Sequence, residues 1–365
     1  MFRHSTAAAA VITLVLLAGA SQGCTIKSSD DSGRSGGPGA AAPRAGSGSA
    51  ELTDGSKVKV ALVPGGAHPY FTPWKKAGVQ AKEELGLGGV TFDETAEWDQ
   101  QKQNNLVSTL AARGFNAFGL FGVSPTDINT TFADLKSQGF AVASLGSCPA
   151  GRKNEADFCL STDVELAAYK AAKATIEAMG GKGSLVHLTG ANVDANTQRR
   201  VRGVEKAVAE TGGKVKLLQT ITDIDKDLQT AQKAVSDLLA AKGSKIQGIV
   251  STAYNPAVAA ADAVRASGSK AKVVAIDDDA KILSSVKNGS VSATVVQNPL
   301  GQAEIGIWVL ALLESGQCTM AKPGVIVDSG SFVVTKDNVT GYDALRRKKT
   351  ADLRKQFADS LLSCG

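Results

Sequence analysis

The chain has 365 residues, of which 43% are hydrophobic and 21% charged, and its 40 Lys+Arg against 35 Asp+Glu leave a net charge of +5. That balance is ordinary for a soluble globular protein and does not mark a nucleic-acid binder. The one dense basic cluster, Arg346-Arg347-Lys348-Lys349 followed by Arg354, has no interleaved aromatic residues and reads as a solvated helix face.

The chain opens with Arg3 and His4, followed by an apolar run from Ala7 to Ala20 interrupted by Thr13. The run is short for a permanent membrane span and has the layout of a secretory signal. It ends in Ala20-Ser21-Gln22-Gly23-Cys24, which resembles a bacterial lipoprotein cleavage site with Ser21 where Leu is usual. The expectation is a signal peptide over 1–23 and a diacylglyceryl group on Cys24, holding the chain at the outer face of a membrane. Plain secretion is the alternative. Residues 24–56 are rich in Ser, Gly, Ala and Pro and read as a flexible tether. The rest, 57–365, has the length of two domains.

Strand-like and helix-like stretches then alternate. Val58 to Val63 ends in the turn Pro64-Gly65-Gly66; Thr72-Pro73 starts a helix with Trp74, Ala77, Ala81 and Leu85 at helical spacing. Strands are expected at 117–121 and 141–145, preceded by helices at 106–112 and 132–137. After Asp163 the rhythm restarts, with strands at 184–188, 215–219, 248–251, 273–276 and 291–296 and helices at 202–210, 228–241 and 257–266. Repeated βα units with short apolar strands imply α/β architecture: two doubly wound parallel-sheet lobes, with ligands beyond the carboxyl ends of the strands.

Four cysteines follow Cys24, and an even count in an exported chain suggests two disulfides. Three pairings are possible; proximity favours Cys148 with Cys159 and Cys318 with Cys364. The spacings lack a zinc-binding pattern.

The strand ends carry the candidate chemistry. His68-Pro69-Tyr70-Phe71 follows the first strand, with Trp74 a turn later; such rings suit the C–H face of a sugar, or staple the turn. Ser124-Pro125-Thr126-Asp127 offers a hydroxyl or a helix cap. Arg200 opens Arg200-Val201-Arg202-Gly203, and Tyr254-Asn255-Pro256 follows a later strand. Asp277-Asp278-Asp279 follows another; adjacent residues point apart, which disfavours one shared metal ion. Gln297-Asn298-Pro299 closes the series. Of the histidines, His187 lies in an apolar strand and reads as a core residue, and there is no nucleophile elbow, phosphate loop or zinc motif. Binding without catalysis or a cofactor fits best.

In their order and spacing these motifs resemble the ribose-binding type of periplasmic sugar-binding proteins, the type I solute-binding proteins of ABC importers, over residues 57–336. The resemblance rests on the Pro-Tyr-Phe turn, Arg113-Gly114, Pro125-Thr126-Asp127, Thr162-Asp163, Arg200 to Gly203, Asp277 and Gln297. It implies two lobes joined by a multi-strand hinge: 57–162 with 298–329, and 163–297 with 330–365 including the tail. It also implies a monomer that hands its ligand to a membrane permease. His68, Tyr70, Phe71 and Ser124 would line one side of the cleft; Arg200, Ile224, Tyr254 and Asp277 the other, with Gln297 near the hinge. Tyr70, Phe71 and Ile224 would sandwich the ring while Arg200 and Asp277 grip hydroxyls. The chain departs from the ribose type at Gly146-Ser147, where an Asp-Arg pair is usual, at Ile224 for an aromatic, and at Ala253 for Asn. A different sugar, a polyol or cyclitol, or a non-sugar signal read by a sensor would suit such a pocket. A hydrolase using His68 and an aspartate is the enzymatic alternative.

Overall fold

The computed structural model describes residues 50–151 and 153–365. The signal segment, Cys24 and the tether up to residue 49 lie outside the described residues. Among the described residues no helix is long and apolar enough to cross a membrane.

The first half builds five strands, β1 (Lys59–Val63), β2 (Gly89–Phe92), β3 (Ala117–Leu120), β4 (Ala141–Leu145) and β5 (Phe158–Ser161), with α1 (Thr72–Glu84), α2 (Gln100–Ala112) and α3 (Ile128–Ser137) between them. The second half runs α4 (Val164–Ala178), β6 (Gly183–Leu188), α5 (Ala195–Ala209), β7 (Val215–Ile221), α6 (Leu228–Lys242), β8 (Gly248–Ser251), α7 (Tyr254–Ser267), β9 (Lys272–Ile276), α8 (Ala280–Asn288) and β10 (Ala293–Val296). Then come α9 (Pro299–Glu314), β11 (Cys318–Met320), β12 (Val325–Asp328), β13 (Phe332–Thr335), α10 (Tyr342–Gln356) and β14 (Leu362–Cys364).

Strands β3, β4, β5, β8 and β10 are buried at every position, so both faces of each sheet must be covered by helices. One sheet has the order β12-β5-β4-β3-β1-β2 and the other β13-β10-β9-β8-β6-β7. The first is parallel throughout; in the second only β13 runs antiparallel, to β10. Two doubly wound lobes result. The chain crosses between them after β5, after β10 and between β12 and β13.

Several helix starts follow from side-chain caps rather than apolar periodicity. Asp99, Asp163 and Asp227 accept from Lys102 N at 2.8 Å, Leu166 N at 3.0 Å and Thr230 N at 2.7 Å. Helix α2 therefore begins six residues before the expected Leu106, in a polar first turn with no apolar signal. Strand β2 escaped the sequence reading because it starts with Gly89 and is only half-buried. Helix α9 is apolar all round, since it lies between the first sheet, α1 and α10.

Two boundary expectations are corrected. Residues 50–56 are not tether. Ala50 and Leu52 pack on the first lobe's core, Ala50 O accepts from the buried Trp308 Nε1 at 3.2 Å, and Thr53 N donates to Gln317 Oε1 at 3.0 Å. The buried indole N–H needs an acceptor, and this segment supplies it. Nor does the tail belong to the second lobe throughout. Tyr342 and Leu345 pack on the second lobe, but Leu353, Phe357, Leu362 and Cys364 are buried in the first. There β14 pairs with β11, and the Arg354 guanidinium lies 4.5 Å from the Trp308 ring centroid. Helix α10 is thus a strap across both lobes, and its basic residues are partly packed.

Both disulfides form as proximity favoured, Cys148–Cys159 and Cys318–Cys364. The second closes a loop with a sequence separation of 46 that holds β12, β13 and α10. Replacing Cys318 and Cys364 together by Ser is expected to cost about 4 kcal/mol by loop entropy. Urea denaturation would read this as a lower midpoint, with loss of amide protection in β11 and β14.

Candidate functional site

With both faces of each sheet covered, only the strand ends are free to carry polar chemistry. The carboxyl ends of the two sheets face each other, and contacts among the described residues bridge them. His68 Nε2 lies 3.4 Å from Asp225 Oδ2 without a well-aligned hydrogen bond, the His68 and Tyr254 rings sit edge-on at 5.9 Å, and Asn196 Nδ2 donates to Ser147 Oγ at 3.3 Å.

The first lobe's wall is aromatic. Pro69 opens a tight turn capped by His68, whose Nδ1 accepts from Tyr70 N at 3.2 Å. Phe71 stands at the centre of the wall, 5.2 Å from Tyr70, 5.0 Å from Trp74, 5.1 Å from Phe121 and 6.2 Å from Trp98, measured between ring centroids. The Trp98 indole lies over Gly65 and Gly66 and is 46% exposed, the most open ring of the group. At Gly146 the backbone is left-handed (φ 74°), and a Cβ there would lie 3.1 Å from the Phe121 ring and 3.5 Å from Trp74. The aromatic packing takes up the space beside this glycine.

The second lobe's wall is polar. Arg200 is placed by the tight crossing of α5 on α4, where a Cβ on Gly203 would stand 2.2 Å from Glu165 O. That explains the glycine three residues after the arginine. Arg200 Nε is buried without a partner. Asp277 follows β9 in a left-handed conformation (φ 62°), and both its carboxylate oxygens accept from Gln297 Nε2, at 3.0 and 3.1 Å. Burial, and then the neighbouring Asp278, push the Asp277 carboxyl up to about 7, against the Gln297 hydrogen bond and the Arg200 charge. The Tyr70 hydroxyl is held above the usual phenol range, first by burial and then by Asp277 across the cleft.

The three aspartates in a row diverge: Asp277 to Gln297, Asp278 to the Tyr342 hydroxyl, and Asp279 to the Tyr254 hydroxyl at 2.9 Å. Burial, and then Asp279, raise the Tyr254 hydroxyl above the phenol range. Beneath this wall His187 Nε2 pairs with Thr252 Oγ1 at 2.8 Å, and burial holds its imidazole down to about 3.

The structure therefore brings His68, Tyr70, Phe71, Arg200, Tyr254, Asp277 and Gln297 to one cleft. Ser124 Oγ accepts from Asp127 N at 3.1 Å, at the start of α3, and Ser124 N donates to Gln100 Oε1 at 2.7 Å. Ile224 is 6% exposed and packs into the second lobe's apolar cluster. Sequence reasoning missed Trp98, Phe121, Asp225 and Gln302. A lone Trp in the polar run Asp93 to Asp99, and a Gln inside the apolar α9, were the available signals.

Two α/β lobes joined by three crossings, with an aromatic wall facing a polar one, define a two-lobed binding protein. Residues 60–318 match the periplasmic binding protein domain family, and the chain belongs to that family. It is 22% identical over 233 residues to a ribose import binding protein of Bacillus subtilis, covering 64% of this chain and 73% of that one. Among solved structures, a Burkholderia graminis ABC transporter solute-binding protein in complex with D-arabinose superposes with a TM-score of 0.70 at 23% identity, over 80% of this chain and 99% of that one. The Caulobacter myo-inositol binding protein bound to myo-inositol gives 0.68 at 22% identity, over 79% and 96%. All three are binding proteins by name.

Between pH 3.8 and 7 the Asp277 carboxyl is ionised when unfolded and protonated when folded, so its contribution to stability is lost as pH rises through about 7. His187 runs the opposite way. Its contribution is full above 6.5 and is lost as pH falls toward 3. Urea denaturation across this range should show Asp277→Asn gaining stability relative to wild type as pH rises, and His187→Gln losing less than wild type on acidification.

Proposed function

We propose that this chain is the extracytoplasmic solute-binding subunit of an ABC importer and takes a sugar or polyol in the cleft between its lobes. The observation that carries the reading is the pairing of walls. Rings at Tyr70 and Phe71 offer an apolar face for ring C–H groups, and Arg200 and Asp277 opposite offer a donor fork and a carboxylate for hydroxyls. Both are engaged only when the lobes meet, so ligand binding shifts the population toward the closed form. Relatives bound to D-arabinose and to myo-inositol support a small polyhydroxylated ligand. The aromatic packing beside Gly146 favours one with an uncharged, partly apolar edge on the first lobe's side. The protein acts as a monomer, tethered through a lipid on Cys24, and delivers its ligand to a membrane permease.

Mass spectrometry of small molecules released on denaturing the purified protein should find a sugar or polyol. Titration calorimetry with that compound should show Asp277→Ala and Arg200→Ala each weakening binding by about 1.5–3 kcal/mol, roughly 10–150-fold. Unchanged affinity in both variants would remove them from the site. Because hydroxyls bind the ionised carboxylate best, wild-type affinity should rise as pH is raised through about 7, with proton release on binding at lower pH. Cys24→Ser should move the protein from the membrane fraction to the soluble one.

A further inference from the structure

Gln302 lies in the first turn of α9 and is fully buried, yet the binding reading gives it no task. Its Oε1 accepts from the Tyr70 hydroxyl at 2.8 Å. Its Nε2 lies 3.0 Å from Thr162 Oγ1, 3.2 Å from Gln297 O and 2.9 Å from Ser329 Oγ. Those three acceptors sit one on each of the three segments by which the chain crosses between the lobes. Thr162 Oγ1 and Ser329 Oγ are also 3.0 Å apart, and Thr162 Oγ1 donates to Gln297 O at 3.3 Å. Gln302, Gln297, Ser329 and Thr162 are all buried, at 6% exposure or less.

The chemistry of the amide gives this arrangement its consequence. A carboxamide nitrogen has two protons, and here three acceptors share them. The cluster is nearly closed to solvent, so a rotation that separates the segments breaks hydrogen bonds that are costly to lose there. The same side chain holds the Tyr70 hydroxyl with its other end. Gln297, one of the three acceptors through its backbone, holds Asp277 through its side chain. A continuous hydrogen-bonded path thus runs from the aromatic wall, through every crossing, to the polar wall.

We propose that Gln302 is a positioning residue that sets the balance between the open and closed arrangements of the lobes and fixes Tyr70 in the cleft, so that affinity depends on a side chain the ligand does not touch. The affinity arm rests on the binding reading above; the arm on lobe arrangement does not.

The test uses the soluble mature chain with Gln302→Met, which keeps length and removes all hydrogen bonding, Tyr70→Phe, and the two combined. Small-angle X-ray scattering without ligand reads the lobe arrangement, and calorimetry with D-arabinose and with myo-inositol reads affinity. The expected result is a larger ligand-free radius of gyration for Gln302→Met. Its affinity for the tighter-binding probe should fall at least about tenfold, and adding Tyr70→Phe should cost less than about twofold more, because the hydroxyl has already lost its anchor. Ser329→Ala, which removes one acceptor from the other side, should shift the scattering in the same direction and serves if Gln302→Met does not fold. Scattering superimposable on wild type overturns the proposal, even if melting temperature falls, since a purely structural role would lower stability alone. If neither probe binds wild type while the scattering still shifts, the sugar reading fails and the role of Gln302 stands.

Discussion

Each time the chain leaves one sheet for the other it carries polar groups that no strand can satisfy, and this protein buries all three crossings together. Thr162, Gln297 and Ser329 meet at one amide, and the meeting point is nearly inaccessible to water. Unpaired groups in such a place are costly, which makes the cluster a set of permitted geometries rather than a loose joint. The rest of the architecture follows from where this cluster stands. The crossings lie at the strand edge of each sheet, so the remaining strand ends turn toward one another and form the cleft.

The cleft divides its labour between the lobes. On the first, the rings around Phe71 hold each other at 5–6 Å and leave little room for charge. On the second, the charged groups are held by neighbours before anything enters: Asp277 by Gln297, Asp279 by Tyr254, and Asp225 by the backbone N–H of Asn255 at 2.8 Å. A carboxylate fixed in this way gives up little orientational freedom on binding. Arg200 is the exception, with its Nε buried and unpaired.

Much of this was legible in the sequence. Strands buried on both faces read as short apolar runs, and alternation with helices gave the two-lobed plan. The residue types after β1, β9 and β10 marked the cleft because polar or aromatic groups after an apolar strand need a reason. What stayed hidden depended on contacts distant in sequence. Trp98 looks like loop composition until Gly65 and Gly66 are seen beneath it. Gln302 looks like a helix residue until three crossings converge on it. Ser124 and Ile224 show the same ambiguity from the other side, because a helix cap and a core position use the same residue types as a binding wall. The strap was missed because the apolar residues of α10 and the segment after it, Leu353, Phe357 and Leu362, do not reveal which lobe they cover.

Both described ends of the chain meet at a single residue. Gln317 binds Thr53 and the Glu51 carbonyl from the amino-terminal side, and its own carbonyl accepts from Gly365 N at 3.1 Å. Residues 51–53 are thus fastened to the body of the first lobe, next to the Cys318–Cys364 disulfide that holds the carboxyl-terminal strand there, so force on this segment enters the molecule through the first lobe.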